Sequence, residues 1–110
     1  MDSSKKKKSE IALHPIVILD SEKTKTNFES KEVADIAKKY QPFLLPCKVG
    51  DKGIGMFLFS TLLKRENFMK ECKEYLDLAM GDACIYVQKN QIADKEIIKE
   101  AEEEWKMLND

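Results

Sequence analysis

Lys52-Gly53-Ile54-Gly55-Met56-Phe57-Leu58-Phe59 is the stretch whose reading decides the fold. Gly50-Asp51-Lys52-Gly53 reads as a tight turn, because glycine takes positive φ without steric cost. Beyond the turn nearly every position is apolar, so both faces of the strand need cover. Such a strand belongs in the middle of a sheet. Alternation divides its side chains, with Ile54, Met56 and Leu58 on one face and Phe57 and Phe59 on the other.

A second stretch has the same two-sided character. Ile16-Val17-Ile18-Leu19 closes a first strand expected over Ile11 to Leu19, with Pro15 at its start or where no ladder donor is needed. Asp20 to Glu29 reads as a polar loop of about ten residues, anchored by Phe28. Ser30 then caps a helix to Tyr40, and Val33, Ile36, Ala37 and Tyr40 share one face. Pro42 stops that helix. Phe43 to Val49 is an expected strand, and Pro46 puts it at an edge. A second helix is expected from Leu62 to Met80, ended by Gly81, and a fourth strand from Ala83 to Gln88. Asp94 caps a last helix to Leu108. Ile97, Ile98, Ala101, Trp105 and Leu108 line one side of it, while Glu100, Glu102, Glu103 and Glu104 cover the rest.

The order is β-α-β-β-α-β-α. Its first six elements are those of a ferredoxin-like α+β sandwich, a four-stranded antiparallel sheet with two helices on one face; the C-terminal helix is extra. The first and third strands are the central pair of that fold, and they are the two read as apolar on both faces. Residues 1–10 form an expected disordered basic tail, 11–90 the domain and 91–110 the C-terminal amphipathic helix.

The chain has 110 residues, 43% hydrophobic and 35% charged, with a formal net charge of -1. That is one globular domain with no global field drawing it to nucleic acid or membrane. Lys5-Lys6-Lys7-Lys8 is a solvated run, a basic arm for phosphate contacts or part of a nuclear-import signal. Cys47, Cys72 and Cys84 lack metal spacing and read as core residues in a reducing compartment. A signal peptide and a membrane span are not expected, which places the protein inside the cell, in cytoplasm or nucleus. His14 stands beside Pro15 at a strand start with no obvious acid or nucleophile nearby, so no catalytic residue is expected. Neither a cofactor nor a metal is expected. Arg65 is the only arginine, and the acidic run Glu100 to Glu104 reads as a solvated helix face.

From about Leu13 to Val87 the chain resembles the RNA recognition motif family. The likeness rests on the element order, on the helix Glu32-Val33-Ala34-Asp35-Ile36-Ala37-Lys38-Lys39-Tyr40, and on Lys52, Gly53, Gly55 and Phe59 of the longer ribonucleoprotein motif. The family binds single-stranded RNA by stacking bases on sheet aromatics. Here those stacking positions fall on Val17, Ile54 and Met56, all aliphatic. The resemblance therefore implies the scaffold without the stacking chemistry.

Val17, Leu19, Ile54, Met56 and Leu58 would then form one aliphatic face. Soluble monomers seldom leave such a patch wet. The C-terminal helix stripe, a protein partner or a second copy would cover it. The leading expectation is a non-enzymatic module of an RNA–protein complex that works by protein contact. Alternatives are weak RNA binding through Lys48, Lys52 and Lys89, and a regulatory or ligand-binding domain unrelated to RNA.

Overall fold

The computed structural model describes residues 10–46, 53–80 and 84–109. They form an antiparallel sheet with helices on both sides, an α+β arrangement compatible with a ferredoxin-like fold. The strands are β1 (Glu10–Leu19), β2 (Phe43–Leu45), β3 (Gly53–Phe59), β4 (Leu78–Met80) and β5 (Ile85–Gln88). The helices are α1 (Glu22–Asn27), α2 (Lys31–Tyr40), α3 (Leu62–Cys72) and α4 (Lys95–Asn109), with a 3-10 turn at Lys89–Gln91.

The strands run in the order β2-β3-β1-β4, and β5 also pairs with β1. β1 is long enough to serve two partners along one edge. Its first half, Glu10 to Leu13, pairs with β5, and Ile16 to Ile18 pair with β4. Neither ladder includes His14 or Pro15. A proline has no N–H to donate, and the gap between the ladders is where that lack costs least. On the other side β1 pairs with β3, setting Val17 opposite Met56 and Ile16 opposite Phe57.

That register puts a core on each face. Ile16, Ile18, Phe57 and Phe59 join Val33 of α2 and Phe68 and Cys72 of α3 in one buried cluster. The Phe57, Phe59 and Phe68 rings meet there at centroid distances near 5 Å, 5.0 and 4.9 Å to Phe68. On the opposite face Ile11, Leu13, Leu58 and Val87 are buried with Ile92 and with Ile97 and Ala101 of α4.

Three expectations need correction. The loop between β1 and α2 contains α1, capped by Ser21, whose hydroxyl accepts from the Thr24 amide. Ser21 followed by a polar run carries no apolar stripe, so periodicity does not reveal it. The helix expected to reach Met80 ends at Cys72. The Cys72 carbonyl accepts from both Tyr75 and Leu76, which closes the last turn, and Leu78–Met80 becomes β4 instead. The sheet thus has five strands, not four. α1 holds this corner: the Asp77 amide donates to the buried Thr24 hydroxyl at 2.9 Å, and the Lys23 ammonium donates to the Lys73 carbonyl at 3.0 Å.

Ser30 caps α2 as expected, accepting from the Val33 amide. Gln41 ends that helix in the left-handed region at φ 48°. The β2 ladder runs from Phe43 to Leu45 and stops before Pro46, which cannot donate, and the rest of the strand expected to Val49 lies outside the described residues. β5 begins at Ile85, after Cys84. The turn from Gly50, the Lys5 to Lys8 run, Cys47 and Gly81 lie outside the described residues.

Candidate functional site

β3 and β1 set Val17 opposite Met56, with Ile54 and Leu58 on the same side by alternation, but the register shifts between Ile18 and Leu19, which puts Leu19 opposite Gly53. The five aliphatic residues singled out above therefore lie in different settings. Leu58 is fully buried beneath α4, and Met56 packs half-buried at the margin of the same cluster. Val17 and Leu19 are half-buried. Ile54 is 43% exposed. The helix covers the end of the face built on Ile11, Leu13 and Leu58. The end built on Val17, Leu19 and Ile54 belongs to neither buried cluster.

α4 presents its stripe unevenly. Ile97 and Ala101 are buried and Ile98 packs half-buried against their cluster. Trp105 lies half-buried, its ring edge-on to Tyr86 of β5. The Leu108 side chain is outside the described residues.

The acidic side of α4 is only partly a solvated face: Glu103 is exposed, but its neighbours have partners. Glu100 pairs with the Lys64 ammonium and accepts from the Ser60 hydroxyl. Glu102 pairs with Lys89, so that candidate phosphate contact already holds a carboxylate. Glu104 accepts from the Leu62 amide at 3.3 Å through one oxygen and bonds the His14 ring through the other. A cleft of about 360 Å³ opens between Thr61 and the helix, lined by Glu100, Glu103, Glu104 and Met107. Its carboxylates disfavour a phosphate. Lys48 and Lys52 lie outside the described residues.

His14 is therefore not isolated. It is buried, with Nε2 on the Glu104 carboxylate and Nδ1 3.7 Å from the Cys84 sulfur. Spacing in sequence hid this group, since Glu104 is 90 residues from His14 and Cys84 is 70. Only the pairing of β1 with β5 and the return of α4 bring the three together. Cys72 is the contrasting thiol. It is buried among apolar side chains, and burial pushes it up to about 12. Arg65, also buried, sits on α3 beside Glu66.

Among the described residues no group of histidine, cysteine and acidic side chains is arranged to hold a metal ion. No helix of the described residues is long and apolar enough to cross a membrane. No family model matches the chain, and neither a curated protein nor a solved structure is found to be similar to it.

Proposed function

We propose that this chain is a ferredoxin-like module of the RNA-recognition-motif type that works by protein contact, without enzymatic activity, inside an RNA–protein complex. The strand order β2-β3-β1-β4, with β1 and β3 in the middle and α2 and α3 on one face, supports the scaffold. The observation that carries the functional reading is the composition of the other face. Val17, Ile54 and Met56 stand where bases would stack, and an aliphatic side chain lacks the π-face that stacking needs. The Leu58 end of that face is taken by α4, and the Val17–Leu19–Ile54 end stays partly open.

The occupant proposed for the open end is a second copy of this chain. An aliphatic patch complements itself, and at a formal net charge of -1 two copies repel each other little. RNA binding through lysines finds less support, because Lys89 is paired with Glu102.

The test compares the wild-type chain with Ile54→Glu. Ile54 is exposed enough for the monomer to accept a carboxylate, but an interface core would not. Mass in solution over a wide concentration range should show self-association in the wild type and its loss in the variant. Short single-stranded RNA should bind weakly and release steeply as salt rises. A wild-type mass that stays monomeric at every concentration would overturn the proposal. So would tight, sequence-selective RNA binding that survives high salt.

A further inference from the structure

His14, Cys84 and Glu104 form a line of three groups that the protein-contact reading does not use. A carboxylate can only accept, so the bond between Glu104 and Nε2 requires the ring proton to be there. In the neutral ring Nδ1 then carries the lone pair, and the group facing it is the Cys84 thiol at 3.7 Å. A nucleophile, a base and a third group that orients the base is the arrangement that activates a weak nucleophile. The two ring nitrogens point away from one another. Cys84 and Glu104 consequently sit on opposite sides of the imidazole and do not converge on one point, as metal ligands would. Cys84 is half-buried, whereas Cys72 is sealed in the core with no imidazole beside it.

We propose that Cys84 is a reactive thiol activated by His14, and that it is a site of S-thiolation by low-molecular-weight disulfides of the glutathione type. The step balances without a further oxidant. His14 Nδ1 takes the S–H proton, and the Cys84 thiolate attacks one sulfur of the disulfide. A new S–S bond forms to Cys84 as the old one breaks. The departing thiolate takes the proton back from the imidazolium and leaves as a free thiol. Glu104 holds the tautomer that makes Nδ1 the acceptor and stabilises the transient imidazolium; it is a positioning residue.

The experiment incubates the full chain with glutathione disulfide at neutral pH and follows each cysteine by peptide mass mapping. The reference is the same chain unfolded in urea. Cys84 in the folded protein should react several-fold faster than Cys84 in the unfolded chain, although it is partly covered, while Cys72 should not react until the protein unfolds. His14→Ala should lose that advantage and regain part of it when free imidazole is added, an effect that a purely structural role would not produce. Glu104→Gln should lower the Cys84 rate with the fold retained by circular dichroism. If His14→Ala does not fold, the folded-to-unfolded ratio of the wild type and the Glu104→Gln rate decide. A folded Cys84 that reacts no faster than the unfolded one overturns the proposal, as does a rate unchanged in folded Glu104→Gln.

Discussion

The Trp105 indole of α4 meets the Tyr86 ring of β5 edge-to-face, with centroids 5.8 Å apart and planes at 85°. Tyr86 is itself 56% exposed, so this contact clips the C-terminal half of α4 to the sheet from outside the core. A fully buried Trp→Ala costs about 3–5 kcal/mol. Trp105→Ala should cost less, about 1–2 kcal/mol in urea unfolding, given aromatic pairs of about 0.5–1.5 kcal/mol and partial burial. A double-mutant cycle with Tyr86→Ala should show coupling between the two. Additive losses would mean that the rings pack independently.

The Thr24 hydroxyl is fully buried and accepts the Asp77 amide that opens β4. Thr24→Val keeps the shape and removes the acceptor, leaving a backbone donor without its partner. The expected loss is about 1–3 kcal/mol. Thr24→Ser should recover the part due to the hydrogen bond. Equal stability of the valine and serine variants would show that the hydroxyl is not what holds this corner.

Cys72 should resist alkylation in the native protein. Burial among Phe59, Phe68 and Leu76 disfavours its thiolate, raising it to about 12, and only the thiolate is nucleophilic. Iodoacetamide followed by mass mapping should label Cys72 at the rate of global unfolding. Fast labelling under native conditions would mean that α3 opens locally.

Acid should weaken the fold through Glu71 and Asp77. Hydrogen bonds from Lys39 and Tyr40 hold the Glu71 carboxyl below its usual value, and bonds from Ser21 and Lys23 do the same for Asp77. Each group binds its proton less readily folded than unfolded. Its contribution is therefore complete above the ordinary carboxylate range and is lost as pH falls through the lowered folded value. At the alkaline end Lys39 and Tyr40 are raised, chiefly by the bond to Glu71. Their contribution is complete below the ordinary values and lost as pH climbs through the raised ones. Glu71→Gln should flatten both limbs of a stability-against-pH curve. A curve unchanged in that variant would show that these exposed contacts are screened away.

The pattern of β1 and β3 was legible because alternation has only two answers. Phe57 and Phe59 fall on the side of α2 and α3, and Leu58 falls under α4, as period two requires. Ser30, three residues before Val33, marked the start of α2 for a local chemical reason. α1 was not legible, since Glu22–Asn27 has no apolar stripe and only Thr24 is buried in it. The end of α3 was hidden for the opposite reason. Tyr75, Leu76, Ala79 and Met80 continue a helical spacing, and neither glycine nor proline interrupts it before Gly81. What stops the helix is a contact from α1, some fifty residues earlier in the chain. His14, Cys84 and Glu104 were unreadable as a group because strand pairing, and not spacing, assembles them. The likeness to a known family of RNA binders rested on element order, one helix and a motif that has aliphatic residues at the stacking positions.

β1 is the shared partner of β3, β4 and β5, and α4 lies over it. It is also the first element of the described chain to leave the ribosome, and β5 and α4 are the last. The order of synthesis thus runs against the order of need. Ile11 and Leu13 wait without cover until the chain has been made through Ala101, and contacts of such long sequence separation slow the search for the native state. A nascent chain halted before Ile85 holds a complete β1 with half of one edge unpaired, the kind of exposed strand that chaperones recognise and that aggregates in their absence.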